Sequence, residues 1–563
     1  MNKQTAVFKA MVLLVVLTLT VAACAPAATP APAQPPTAAP TQAVAAPTQP
    51  PAPTTAPTAK PTEAPKPVDI ELWAQATSTQ APAPPDDWIG YKTIREKLNI
   101  NLKYVIIPTG ADGETKINAA AAANALPDWL QAVSTTNARN KVLDLNKQGL
   151  IAPVDDLLKL MPNRVKTHYN NPGAMALGQL DGKQMAFVEV PNLPRREGLV
   201  IRKDWLDKLG LKTPTTIDEL FTVAKAFTEK DPDGNGKNDT YGLGGFFDGT
   251  WGAGNRFAFF FGAYGVPDLW DWNNTSNFGL SVRNPNFYKA LVEFRKWNEA
   301  KVIDPDWATI NRDEFRIRWP QGRYGIMWED FAALSMAANY PKFDKNFPNG
   351  EWIPLPAPKG PDGTAYYGAY GGTGVMFVVS KKAADAGKGP AIAKLLEWMA
   401  SPEGYYLCGF GVEGVNYKLD KDGNVITEGL PDPTKAWTHE SMARYTQMRN
   451  QLIYDNNPKE VAARYPSHKS INGRTIVPMD FYKYFSTQPW ADSAAGNLIV
   501  NPSNRADLQR FYNENFQAFA LGTKPLNEQT WAAFLKGLDA NVKANDWEAA
   551  ARKTLQDAGV LKK

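Results

Sequence analysis

The 563-residue chain reads as an α/β protein of at least two lobes, set behind an export segment and an unfolded stalk. Three observations point there. Apolar segments of period two alternate with segments of helical period, the order that builds parallel-paired sheets covered by helices. The part able to form a core begins near Val68 and spans about 500 residues, more than one hydrophobic core usually holds. The stretch before it has a composition of its own.

Val68-Asp69-Ile70-Glu71-Leu72-Trp73 alternates apolar and polar residues and predicts the first strand. Ile94 and Leu98 mark a helix, and Ile100, Leu102, Tyr104 and Ile106 a second strand. An alanine-rich helix, Ile117 to Leu126, leads to Pro127 and the apolar pair Trp129-Leu130. A second α/β region starts near Leu199-Val200-Ile201. Thr216 with Glu219 three residues on is a capping box, and Ile217, Leu220, Phe221, Ala224 and Phe227 share one helical face behind it. The run FAFFFGAYG predicts a buried helix, and the wholly apolar Val375-Met376-Phe377-Val378-Val379 a buried strand. A helix with Leu395, Leu396 and Trp398 follows it; Trp531, Phe534, Leu535 and Leu538 mark another, and Trp547 lies near a last one. No repeat of fixed period is visible, which argues against a solenoid or propeller.

The amino terminus speaks to location. Lys3 and Lys9 precede an apolar run from Ala10 to Ala23, too short to span a bilayer stably but of signal-peptide length. It ends in Val21-Ala22-Ala23-Cys24, which resembles a bacterial lipobox. The resemblance implies a lipid on the Cys24 thiol and cleavage just before it, so residues 1–23 are expected to be removed. An ordinary secretory signal with a chance cysteine is the plainer alternative. From residue 24 to 67 the chain is almost wholly Pro, Ala, Thr and Gln, with too little apolar surface to repay ordering. Extended at about 3.1 Å per residue, such a stalk reaches on the order of 100 Å. A glycosylated stalk would have the same composition.

Composition narrows the function. A formal net charge of +4 is nearly neutral for this length and gives no reason to expect a nucleic-acid partner. Apart from Cys24 the only cysteine is Cys408, so no disulfide framework exists, and His168, His439 and His468 show no zinc spacing. The 17 Trp stand beside 20 Tyr and 25 Phe. Most must be core, yet so many indoles in an exported protein also suit flat platforms for sugar rings.

Several segments resemble, in order, those of extracellular solute-binding proteins, and in particular the large lipoprotein-type members of family 1. They are ALPDWL (Ala125 to Leu130), LVIRKDWLDKLGLKTPTTIDEL (Leu199 to Leu220), WPQGRYGIMWED (Trp319 to Asp330) and FGVEGVNYKLD (Phe410 to Asp420). The resemblance spans nearly the whole body. It implies a two-lobed periplasmic-binding-protein-like fold of type II, with ligand in the cleft between lobes. The expected lobes are 68–192 with 366–411, and 193–365 with 412–563. It implies a monomeric receptor, lipid-anchored outside the cytoplasmic membrane, that hands a solute to the permease subunits of an ABC importer. Similar members handle oligosaccharides, alginate binders among them.

DPDGNGKND, Asp231 to Asp239, has the layout of a calcium loop. Calcium takes six to eight oxygens at about 2.3–2.6 Å. Asp231, Asp233, Asn235 and Asp239 supply side-chain oxygens, the Lys237 carbonyl adds one, and Gly236 permits the sharp turn. An EF-hand would place a bidentate Glu at the twelfth position, which here is Gly242. In the similar alginate binders the tenth position is acidic, whereas here it is Thr240. Water or another segment must complete the site, and its expected role is bracing. A metal-free Asp/Asn/Gly turn is the alternative.

Sugar clefts combine aromatic rings with planar polar groups. The candidates are Trp73, Trp251, Trp270, Trp328 and Tyr370 as rings, with Ser134, Thr135, Asn192 and Arg195 as polar contacts. Each tryptophan has core packing as its ordinary use, and Asp128 suits a turn-fixing role. Arg195, Arg196, Arg316 and Arg318 leave open whether the ligand is a neutral or an acidic glycan. No catalytic residue is predicted. A secreted carbohydrate-active enzyme would need two carboxylates about 5–10 Å apart across the cleft, and no catalytic motif such as G-x-S-x-G is present. A surface sensor or adhesin using the same cleft is the third reading.

Overall fold

The computed structural model describes residues 66–562 except 77–80, 109, 135–137, 171, 190–195, 250–254, 335–339, 372–374, 422, 424, 443, 452–464 and 466. The expected signal peptide, Cys24 and nearly all of the stalk lie outside the described residues, as do Thr135, Asn192, Arg195 and Trp251.

The strands that carry the fold are, in chain order, β1 (Val68–Gln75), β2 (Ile100–Ile107), β3 (Trp129–Gln131), β4 (Ile151–Ala152) and β5 (Phe187–Glu189). Then come β6 (Glu197–Arg202), β7 (Tyr241–Gly244), β8 (Tyr324–Asp330) and β9 (Trp352–Pro354). Last are β10 (Ala369–Tyr370), β11 (Val375–Ser380) and β12 (Ala491–Asp492). Helices named below are α1 (Ile89–Leu98), α2 (Gly110–Ala122), α3 (Lys203–Leu209), α4 (Ile217–Glu229), α5 (Ala258–Ala263) and α6 (Arg312–Arg318). To these are added α7 (Gly389–Met399), α8 (Arg505–Ala520), α9 (Glu528–Ala540) and α10 (Ala544–Asp557).

The first sheet is six-stranded, in the order β2-β1-β3-β11-β4, with β5 also on β11. β1 pairs in parallel with β2 and β3, while β11 runs antiparallel to β3, β4 and β5. Both faces are covered, and the period of two decides which residue serves which face. Ile70, Leu72 and Ala74 of β1 and Phe377 and Val379 of β11 join one core with Ile94 of α1 and Leu395 and Leu396 of α7. Met376 and Val378 point into a second core with Ile117 and Leu130. That burial on both faces is why β11 is apolar throughout.

The second sheet is four-stranded, β9-β6-β8-β7, with β8 antiparallel to β6 and parallel to β7. Its core is strongly aromatic. Phe259, Phe260 and Phe261 of α5 are buried in it, as the sequence predicts. The capping box of α4 forms as expected: the Glu219 amide donates to Thr216 Oγ1, and the Thr216 amide to Glu219 Oε2. The carboxy-terminal helices α8, α9 and α10 pack into this same core through Phe516, Phe534 and Trp547.

Core membership also marks where the chain changes sides. Tyr417, Val425, Trp437, Met442 and Met448 belong to the core of the first sheet, whereas Tyr465, Ile476 and Met479 belong to that of the second. The expected change at residue 412 therefore does not coincide with the change of core, which falls between Met448 and Tyr465. Cys408 is buried in the first core, and burial pushes its thiol up to about 12, which leaves it an inert packing group. Among the described residues no helix is long and apolar enough to cross a membrane.

Candidate functional site: an interlobe cleft and an oxygen-rich loop

Strand direction locates the cleft. In the first sheet β1, β2, β3 and β5 all end at one edge, where β11 begins. In the second sheet β7, β8 and β9 end at one edge, where β6 begins. The chain passes from the end of β5 to the start of β6, and from the end of β9 to the start of β11. The carboxyl edges of the two sheets are thus tied together by crossovers, and ligands of open α/β sheets bind outside such edges.

At the first edge a pair of glutamine amides stands beside charged groups. The Gln75 amide donates to Gln131 Oε1 at 2.9 Å, and Gln131 Nε2 donates to Gln75 Oε1 at 3.1 Å. Trp73 is half-buried near the end of β1; its Nε1 donates to Glu71 Oε1 at 2.7 Å, and the Lys116 ammonium stands 4.7 Å from the ring centre. Ser134 is half-buried just beyond β3. Asp128 lies at the opposite end of β3, where it accepts from the Glu71 amide and from Lys388; these contacts tie β3 to β1 and to the segment before α7.

The second edge carries a balanced ionic network. Arg196 donates to Asp330 at 3.2 Å and to the Tyr465 hydroxyl at 3.1 Å. Arg256, only 5% exposed, sits 3.2 Å from Glu197 and 3.9 Å from Glu329 and donates to the Trp328 carbonyl. Arg316 of α6 forks onto Glu329 at 2.8 and 3.1 Å. Arg318 belongs elsewhere: with Arg323 it binds Asp304 beside Tyr324, at the far end of β8. Burial lowers Arg505 of α8 to about 10, against the opposing pull of the Glu114 carboxylate of α2.

The expected rings are not all alike. Trp270 is 5% exposed, stacked on Phe278 and edge-on to Trp547, so it fastens the carboxy-terminal helix α10 to the core. Trp328 is 3% exposed, between Phe259, Tyr367 and Trp490. Tyr370 is half-buried in β10, which pairs with β12 just before the second crossover. Sequence reasoning missed Gln75, Gln131, Glu197, Arg256 and Trp490. The first two stand at strand ends, a signal that strand prediction alone could have supplied; Trp490 lies in an irregular stretch with no such signal.

The loop after α4 draws its oxygens inward. Asp231, held at a φ of 46°, accepts the amides of Gly234, Asn235 and Gly236 at 3.1, 3.1 and 2.9 Å. Its carboxyl is held low, chiefly by the Gly236 amide. Asp233 is raised, first by burial and then by the Asp231 and Asp239 carboxyls beside it. Asn235 Nδ2 lies between Asp233 at 2.9 Å and Asp239 at 3.1 Å. Crowded carboxyls bridged by an amide donor are a donor set that fits a hard cation. Among the described residues no cluster of three or more acidic, imidazole or thiol side chains is drawn into metal-binding geometry. Two positions of the EF-hand layout are closed here. Thr240 is 3% exposed and donates to the Phe227 carbonyl, and a side chain at Gly242 would meet the Ala224 carbonyl at 2.2 Å.

Comparison with known proteins defines the class. Residues 73–406 match the sequence model of the bacterial extracellular solute-binding proteins, and the chain belongs to that family. It is 30% identical over 343 residues to the polygalacturonan/rhamnogalacturonan-binding protein YtcQ of Bacillus subtilis, a match covering 60% of this chain and 65% of YtcQ. The chain spans between half and two thirds of the length of the curated relatives it matches. The fold is similar to that of alginate-binding protein AlgQ2, solved without calcium ion (TM-score 0.62, 18% identity, 86% of this chain and 98% of that one). It is also similar to Streptococcus pneumoniae FusA in complex with kestose (TM-score 0.61, 19% identity, 87% and 99%), a protein also solved as an EF-hand mutant. The α/β architecture is that of periplasmic-binding-protein-like solute-binding proteins.

Proposed function

We propose that the protein captures an oligosaccharide between its lobes and passes it unaltered to the permease of an ABC importer. The observation that carries this reading is the pair of carboxyl edges joined by crossovers, one lined by amides and a half-buried indole, the other by a neutralised ionic network. Relatives named for polygalacturonan and fructooligosaccharide binding support the ligand class. Trp73, Ser134 and Tyr370 are the described residues assigned to the ligand, with Thr135, Asn192, Arg195 and Trp251 from the segments beside them. The lobes are taken as 68–189 with 375–448, and 196–370 with 465–562, following core membership. The receptor works as a monomer held outside the membrane by a lipid on Cys24.

A calcium ion braces the second lobe through Asp231, Asp233, Asn235, the Lys237 carbonyl and Asp239. Bound there, its two positive charges would offset most of the repulsion among the three carboxyls and so hold the exit of α4. Lys208 of α3, which donates to the Pro232 carbonyl at 2.9 Å, ties the loop to the body.

Titrating tryptophan fluorescence with a glycan panel tests this. A saturable change with one sugar class and no new reducing ends after overnight incubation is expected. Release of reducing ends would replace the receptor by an enzyme, and silence toward every glycan would remove the sugar.

A further inference from the structure

The ring on which a sugar would rest at the second edge is not Trp328. Four aromatic residues form a chain there: Phe259, Trp328, Tyr367 and Trp490. Phe259 and Tyr367 are 0% exposed and Trp328 is 3% exposed, and only Trp490 is half-buried. Trp328 has Phe259 stacked at 6.4 Å, Tyr367 edge-on at 5.1 Å and Trp490 at 5.8 Å, so its faces are given to the core.

Trp490 is fixed as a platform needs to be. Its Nε1 donates to the Phe485 carbonyl at 3.0 Å, and its ring meets Tyr367 at 90°. Gly368 is its neighbour: a Cβ there would lie 3.4 Å from the ring and from the Ala258 methyl. Ala258 opens α5, two residues after Arg256 of the ionic network. Trp490 also immediately precedes β12, whose partner β10 leads into the second crossover. The indole is therefore anchored at its nitrogen and against Tyr367 and Trp328, two residues from the end of β8 and next to the strand pair that leads into a crossover.

The charges around it are already matched. Arg196 is held by Asp330, and Arg256 and Arg316 by Glu197 and Glu329. A uronate placed here would have to draw an arginine from its carboxylate, and for the buried Glu329 losing its partners is costly. A sugar ring with a flat C–H face meets no such conflict. We propose that Trp490 is the stacking platform of a subsite for an uncharged sugar unit. The inference rests on the receptor reading above.

The full chain is titrated with neutral oligosaccharides and with oligogalacturonate of matched length, and the best ligand is then tested on Trp490→Leu and Trp490→Phe. A neutral oligosaccharide is expected to bind most tightly. Trp490→Leu should weaken it at least about tenfold, while Trp490→Phe, which keeps a ring, stays within about threefold. Near-wild-type binding by Trp490→Leu overturns the platform and leaves the receptor intact, as does Trp490→Leu and Trp490→Phe losing affinity equally. Oligogalacturonate as the tightest ligand overturns the uncharged subsite alone. Binding of no sugar by the wild type overturns the receptor reading and this inference with it.

Discussion

Glu189 and Glu329 invite comparison, because each is a buried carboxylate at or one residue from the cleft end of a strand and each rests on an arginine. Glu329 is 1% exposed. It takes both bonds of the Arg316 fork, has Arg256 nearby, and accepts the Asp330 amide. Burial alone would raise it, but the two guanidiniums outweigh burial and hold it below the usual carboxylate range. Glu189 is 3% exposed and receives Arg164 and the Tyr169 hydroxyl on one oxygen, Oε1. Its Oε2 and the Arg164 Nε and Nη1 have no hydrogen-bond partner among the described residues. Burial wins there, and Glu189 is pushed up despite its arginine. The same pair of residue types is thus a rigid lattice in one lobe and a half-satisfied contact in the other. What differs is how many lone pairs and N–H groups find partners, which sets the worth of a buried charge.

The largest expected effect breaks the complete network. Glu329→Gln, which takes the carboxylate from the half-buried Arg316 and leaves the buried Arg256 with Glu197 alone, should cost about 3–5 kcal/mol in denaturant unfolding. Glu189→Gln, replacing a group that already leans toward its neutral form, should cost only ~1–3 kcal/mol. Equal losses would erase the distinction.

The pH dependence should have opposite signs. Glu329, lowered in the fold, contributes stability that is present above the ordinary glutamate pKa of about 4.3 and is lost as pH falls through its lower folded value. Glu189, raised in the fold, contributes stability that is fully present below about 4.3 and is lost as pH rises through its higher folded value. Unfolding free energies of the wild type and both Gln variants across that range should show each variant losing its own slope and keeping the other.

Removing calcium with EDTA should lower the melting temperature by about 2–4 °C, and added calcium should restore it. The second lobe should bear this loss, with hydrogen exchange rising around α4 and β7 while the first sheet is unchanged. Rising exchange in the first sheet instead would place the brace elsewhere. The smallest effect is local to the second lobe: Thr216→Ala, which removes one half of the α4 capping box, should cost about 1 kcal/mol with ligand affinity unchanged.

Much of the fold was legible because period reports face. The alternation from Val68 to Trp73, the apolar run at Val375 and the Thr216/Glu219 box each became the predicted element. Depth was not legible. Trp73, Trp270, Trp328 and Trp490 look alike in a sequence, yet two are sealed in the core and two are half-exposed, because tertiary neighbours such as Phe278 and Tyr367 decide it. The loop's oxygens could be read from spacing alone, since Asp231 binds residues three to five places on. That Gly242 has no room for a side chain could not, because the obstacle is the Ala224 carbonyl on a different element.

The place of β11 has a consequence for biogenesis. This strand sits between β3 and β4, yet it is made more than two hundred residues after them. As the polypeptide is threaded outward from its amino terminus, β3 and β4 must wait with open flanks until Val375–Ser380 arrives. A strand pairing so distant in sequence is slow to form, and waiting edges invite aggregation. Extracytoplasmic holding chaperones would find their natural client in that unfinished half.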